Sequence, residues 1–249
     1  MLMGGTKGQG KSFLMMNLAR DLLRGHGYTP ESGAFSCPHF APAKSLNRIH
    51  MIEMEIGKWT IGERLERCFA DCAHLLKDRF VINSGYTQGI SLSDPTYCGW
   101  LKANCALEGT DLLIIDPINQ YHHWDENSAL HMGYLLETLR EIQGNGTAVI
   151  MTHHFKKPPR SGSRDLEDYD NLDIYNFRGT RVSDDADAVW TCARRPGKVV
   201  NAIWDNWRLD NQLVLRHNSS PERFVLDVNV ANQFEVAFSA PEAAPRTFA

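Results

Sequence analysis

Gly5-Thr6-Lys7-Gly8-Gln9-Gly10-Lys11-Ser12 is the stretch that decides how this 249-residue chain reads. The octet fits G-x-x-x-x-G-K-[ST] without a mismatch, and Leu14, Leu18 and Leu22 follow it at helical spacing. Glycines permit a tight wrap that turns backbone N–H groups toward a phosphate, and the helix behind adds the positive end of its dipole. Lys11 would neutralise the outer phosphates, and the Ser12 hydroxyl would take one position on Mg²⁺. Such a loop leaves the end of a buried strand, yet only Met1, Leu2, Met3 and Gly4 precede it. A short strand at Leu2 and Met3 is expected, lying between the strands that end near Asp116 and Met151. The alternative is that the true start lies upstream.

The second half of a magnesium–nucleotide site is an acid at the end of a buried strand. Leu112-Leu113-Ile114-Ile115 is apolar throughout, as a strand buried on both faces must be, and Asp116 ends it. Asp116 would hold the metal through water. Glu53 and Glu55 close another apolar run, Ile49 to Ile56, on one face and two residues apart, so either could orient an attacking water.

The apolar runs Ile49 to Ile56, Phe80 to Ile82, Leu112 to Ile115 and Ala148 to Met151 alternate with helical patterns, which predicts an α/β domain with a mostly parallel sheet. Thr60 to Leu76 reads as one amphipathic helix, with Ile61, Leu65, Cys68, Phe69, Cys72, Leu75 and Leu76 on one stripe. That stripe makes Cys68 and Cys72 core residues rather than a metal pair. Ser128 to Gln143 predicts a second helix, with Met132, Leu135, Leu136, Leu139 and Ile142 inward and Gly144-Asn145-Gly146 stopping it. The segment 154–177 has no apolar period and mixes charge with proline, and reads as a mobile loop. Short β-like runs follow at Ala188 to Cys192, Val199 to Trp204, Leu213 to Leu215, Arg223 to Val228 and Phe234 to Phe238. Residues 1–238 are expected to be one domain and 239–249 a tail. The insert from Gly25 to Asn47 is irregular.

Composition narrows the classes. A formal net charge of −4 provides no global attraction to nucleic acid or anionic membrane, so such a partner would need a local basic patch. No apolar run approaches the roughly 18 residues of a membrane span, and glycines with Lys7 stand where a secretory leader would be apolar. The six cysteines are sparse and form no Cys-x-x-Cys pairs. A cytoplasmic protein with no membrane partner is expected. His122-His123 has no acid or cysteine at metal spacing and reads as loop surface.

Together these segments resemble the RecA-like ATPases, and within them the AAA-family RepA and DnaB type of replicative helicase. "IEMEIGKWTIGERL" (52–65) is similar to that group's strand-end glutamate followed by an arginine. "LLIIDPINQYHHWDEN" (112–127) resembles its magnesium aspartate with a later Asp-Glu-Asn, and "AVIMTHHFKK" (148–157) its strand ending in paired histidines and lysine. "FRGTRVSDDADAVWTCAR" (177–194) resembles the Arg-Gly segment and the strand beyond the mobile loop.

The resemblance covers residues 1 to about 215 and rests on motif order. It implies a P-loop NTPase with a mostly parallel central sheet flanked by helices and a C-terminal β-hairpin extension, using ATP and Mg²⁺. It favours Glu55 over Glu53 as catalytic base by its distance to Arg64. It further implies that His153 or His154 senses the γ-phosphate and that Arg208, in "IWDNWRLD", acts on a neighbour's ATP. Lys156, Lys157 and Arg160, with Arg164, would contact single-stranded DNA in a homo-oligomeric ring, a hexamer being one form. The expected activity is Mg-dependent ATP hydrolysis driving a helicase-type motor. A non-motor regulator or loader, a recombination ATPase and a small-molecule kinase are the competing readings.

Overall fold

The computed structural model describes residues 1–5, 10–24, 46–84, 91–155, 177, 183, 185–195, 207–216, 222–229 and 235–239. Among these residues nine strands form one sheet: β1 (Leu2–Gly5), β2 (Ile49–Glu53), β3 (Phe80–Ser84), β4 (Leu112–Asp116), β5 (Ala148–His154), β6 (Ala188–Arg195), β7 (Trp207–Leu215), β8 (Glu222–Asn229) and β9 (Glu235–Ser239). Their order is β3-β2-β4-β5-β1-β6-β7-β8-β9. Every pairing from β3 to β6 is parallel, and β6 to β9 run antiparallel as a meander.

The short first strand exists, but its neighbours differ from expectation. β1 lies between β5 and β6, pairing Leu2 with Met151 on one side and Val189 on the other, while β4 pairs directly with β5. Leu2 and Met3 are fully buried, so two apolar residues and two glycines suffice for a central strand. The sequence contains no signal for this order, because all three apolar runs are short enough to be interior.

Among the described residues four α-helices cover the two faces: α1 (Lys11–Arg24), α2 (Lys58–Cys68), α3 (Pro95–Leu107) and α4 (Ala129–Gln143). Strand side chains alternate between faces. Ile49, Met51, Leu112, Ile114 and Ile150 pack with Phe13, Leu14 and Leu18 of α1, whereas Ile52, Leu113, Ile115, Val149 and Met151 pack with Leu101 of α3 and Leu135 of α4. Apolar cover on both sides is what lets a parallel sheet exist in water.

Helix α4 forms where predicted. Ser128 caps it by accepting from the His131 N–H, and all five predicted inward residues are buried. Its end passes through Gly146 at φ +88, a backbone that side-chain-bearing residues rarely adopt. Helix α3 starts at Pro95, with the Asp94 carboxylate accepting from the Thr96 N–H at 2.8 Å.

The predicted helix over residues 60–76 is shorter. Helix α2 stops at Cys68, Phe69 leaves helical backbone to stack on Phe80 with ring centroids 5.3 Å apart, and Ala73–Leu76 makes a 3₁₀ turn. Cys68, Phe69, Cys72 and Leu75 stay buried across the break, so the stripe reports core and not one continuous helix. Both cysteines are free thiols, and burial raises Cys68 to about 12. Among the described residues no group of three or more His, Cys, Asp or Glu could hold a metal ion. His122, read as surface, is instead buried and stacks with Trp124, while His123 is exposed.

The run Val199 to Trp204 and the loop residues 156–176 lie outside the described residues. No helix among the described residues is long and apolar enough to cross a membrane.

Candidate nucleotide site

The strand-end residues of interest fall on one face by parity. Ile49, Met51 and Glu53, then Leu112, Ile114 and Asp116, then Ile150, Thr152 and His154 are each spaced by two, so the polar member of each set continues the apolar row facing α1. Placing β5 between β1 and β4 brings Thr152 and His154 between the phosphate-loop lysine and the acids.

Lys11 opens α1 just after Gly10, which has φ +86 and whose carbonyl accepts from the Leu14 N–H at 2.9 Å. Its side chain is buried; Nζ donates to the Gly5 carbonyl at 3.1 Å and lies 3.2 Å from His154 Nδ1. Gly5 has no room for a side chain, since a Cβ there would stand 2.7 Å from the Cys192 carbonyl oxygen. Thr6, Lys7, Gly8 and Gln9 lie outside the described residues.

Asp116 is buried at the end of β4. Thr152 Oγ1 donates to its Oδ1, and Oδ2 has no hydrogen-bond partner among the described residues. Burial raises its pKa, outweighing the Ser12 and Thr152 hydroxyls and the Lys11 charge, which pull it down. An orphaned carboxylate oxygen beside a serine hydroxyl is a hard, all-oxygen donor set, and it fits Mg²⁺.

The two glutamates of β2 have different surroundings. Glu53 is 0 % exposed, and its Oε1 accepts from the N–H groups of Glu55 and Ile56, both at 2.7 Å. These bonds accompany a bend at Glu55 and Ile56, and β2 stops short of Ile56. Burial pushes the Glu53 carboxyl up to about 7, against the two N–H groups and with the neighbouring charges of Asp116 and Glu55. Glu55 lies in the bend with its side chain 27 % exposed, and its Oε1 is 3.1 Å from His154 Nε2.

The paired histidines diverge. His154 faces Lys11 and Glu55, whereas His153 is buried on the opposite face, near the Phe177 ring at 6.1 Å, and its Nδ1 accepts from the His154 N–H at 2.9 Å. Arg208 sits on β7, its backbone paired with Arg195 and Asp227. Lys156, Lys157 and Arg160 lie outside the described residues. Asp125 belongs to a turn, its Oδ1 accepting from Asn127 N at 2.9 Å one residue before the α4 cap.

Sequence reasoning missed Thr152 as the support of Asp116. Its parity with His154 was the available signal, but the apolar run that marks the strand stops at Met151.

A loop lysine, a strand-end aspartate and a neighbouring glutamate on the α1 face of a mostly parallel α/β sheet define a P-loop nucleotide-binding domain. A family profile for the AAA domain matches residues 1–160, and the chain belongs to that family. An AAA domain suggests an ATPase, binding nucleotide typically with Mg²⁺. No curated protein matches the chain. Strands β6 to β9 lie beyond the matched residues.

Proposed function

We propose that this chain hydrolyses ATP with Mg²⁺ and works as an oligomeric DNA motor of the replicative helicase type. The observation that carries the ATPase reading is the continuous contact from Lys11 through His154 to Glu55, beside Asp116 and Ser12. Lys11 and the N-terminus of α1 bind the phosphates. Ser12 and Asp116 would hold Mg²⁺, which supplies charge neutralisation on the phosphates. Glu55, reaching solvent where Glu53 does not, orients the water and accepts its proton. A strand-end glutamate in contact with His154 argues for water as the acceptor, and so for an ATPase over a small-molecule kinase.

The motor reading rests on the motif resemblance and on the basic residues Lys156, Lys157 and Arg160, which would meet phosphates of single-stranded DNA without fixed geometry. Phosphate release measured with and without single-stranded DNA tests it. DNA should raise turnover, and replacing Lys156 and Lys157 by alanine should abolish the rise. Turnover indifferent to DNA in both proteins rejects the motor and leaves an ATP-dependent regulator or loader.

A further inference from the structure

We propose that His154 is a positioning residue that couples the phosphate-binding lysine to the water-orienting glutamate, acting through Lys11 and Glu55 rather than by touching the γ-phosphate. The inference rests on the ATPase reading of this site.

One imidazole spans both groups, with Nδ1 3.2 Å from Lys11 Nζ and Nε2 3.1 Å from Glu55 Oε1. A lysine ammonium has donors only, so Nδ1 must accept. The ring proton then sits on Nε2 and donates to the Glu55 carboxylate, which is an acceptor. All three groups are satisfied in this one tautomer. The opposite tautomer would set N–H against ammonium and lone pair against carboxylate.

The geometry is held from both ends. His154 is only 13 % exposed, pairs in register with Gly5 on β1, and receives backbone support through its N–H bond to His153 Nδ1. Lys11 is tethered to the Gly5 carbonyl, and Glu55 stands on the bend that Glu53 fixes. A displacement of Lys11 toward a phosphate is therefore felt by the carboxylate across one rigid ring. In this tautomer the ring offers only a lone pair on its Lys11 side, which repels a phosphate oxygen.

Glutamine can reproduce the pattern, its amide oxygen accepting from Lys11 and its NH₂ donating to Glu55. Leucine fills similar volume and does neither. Steady-state ATP hydrolysis should show kcat lowered ~100-fold by His154→Leu with KM for ATP moved less than ~3-fold, and His154→Gln within ~5-fold of the native chain. His154→Leu combined with Glu55→Gln should lose no more than the worse single variant, as expected of residues acting as one unit. Should the leucine variant not fold, His154→Asn, with the amide on a shorter stem, takes its place.

Losses that multiply in the double variant, a glutamine variant no better than leucine, or a KM that rises in step with the fall in kcat would overturn the coupling while leaving the ATPase reading intact. No hydrolysis by the native chain overturns both.

Discussion

Glu53 and Asp116 are register partners across the parallel pair β2 and β4, both buried at the strands' carboxyl ends, and each leaves one carboxylate oxygen without a hydrogen bond among the described residues. They are nonetheless differently employed. Glu53 spends its other oxygen on two backbone N–H groups of the following bend, and Asp116 takes a hydroxyl from the neighbouring strand. Glu53 shapes the wall of the site and Asp116 faces the hydroxyl of the phosphate loop.

The two glutamates should therefore separate by assay. Glu55→Gln is expected to cut ATP turnover by ~100-fold with little change in thermal stability. Glu53→Gln keeps an oxygen for the two N–H groups and should stay within ~5-fold of native turnover. Glu53→Ala strands those donors and should cost ~1–3 kcal/mol in denaturant unfolding. The reverse pattern of turnover would make Glu53 the base.

Thr152→Val removes the hydroxyl from Asp116 Oδ1 while conserving shape. A loss of ~1–3 kcal/mol is expected, because a buried carboxylate loses a donor. Differential scanning fluorimetry in the absence of nucleotide would register it, and an unchanged melting temperature would show that the contact contributes nothing.

His50 on β2 sets a pH dependence. It is buried, its Nε2 has no partner among the described residues, and burial with a smaller push from Arg48 lowers its pKa to about 4 from 6.5. Between those values the unfolded chain binds more protons than the folded one, so this residue makes stability fall as pH drops from 6.5 toward 4. The contribution is at most about 3 kcal/mol. In urea melts across that window, His50→Leu should flatten the slope; an unaltered slope would place the acid sensitivity elsewhere.

Gly4 and Gly5 test the packing around β1. A Cβ at Gly4 would overlap the Phe155 and Phe177 rings, and at Gly5 it would meet the Cys192 backbone. Rings can shift and a carbonyl in a central strand cannot, so Gly5→Ala should destabilise more than Gly4→Ala, each by ~1–3 kcal/mol or more. Phe177→Leu should recover part of the Gly4→Ala loss in a thermal melt and none of the Gly5→Ala loss.

Much of this architecture was legible in the chain. The octet at residues 5–12, the apolar run ending in Asp116 and the α4 stripe are local patterns with one physical meaning each, and the fold places the helix from Lys11, the strand ending in Asp116 and the α4 stripe as expected. The break after Cys68 was not legible, because a buried stripe looks the same whether a helix or a turn carries it. The burial of His122 was equally hidden, since it depends on how its segment packs on the rest of the fold and not on a pattern along the chain.

By itself the sequence determined the kind of elements, the phosphate-binding segment and a short list of acids and histidines, because those depend on residue type and spacing along the chain. Only the tertiary structure decided that β5 lies between β1 and β4. That single choice of order puts His154 within reach of both Lys11 and Glu55 and lets Thr152 support Asp116. Strand order is set by how apolar faces are covered across the whole sheet, a sum over distant residues that no local stretch encodes.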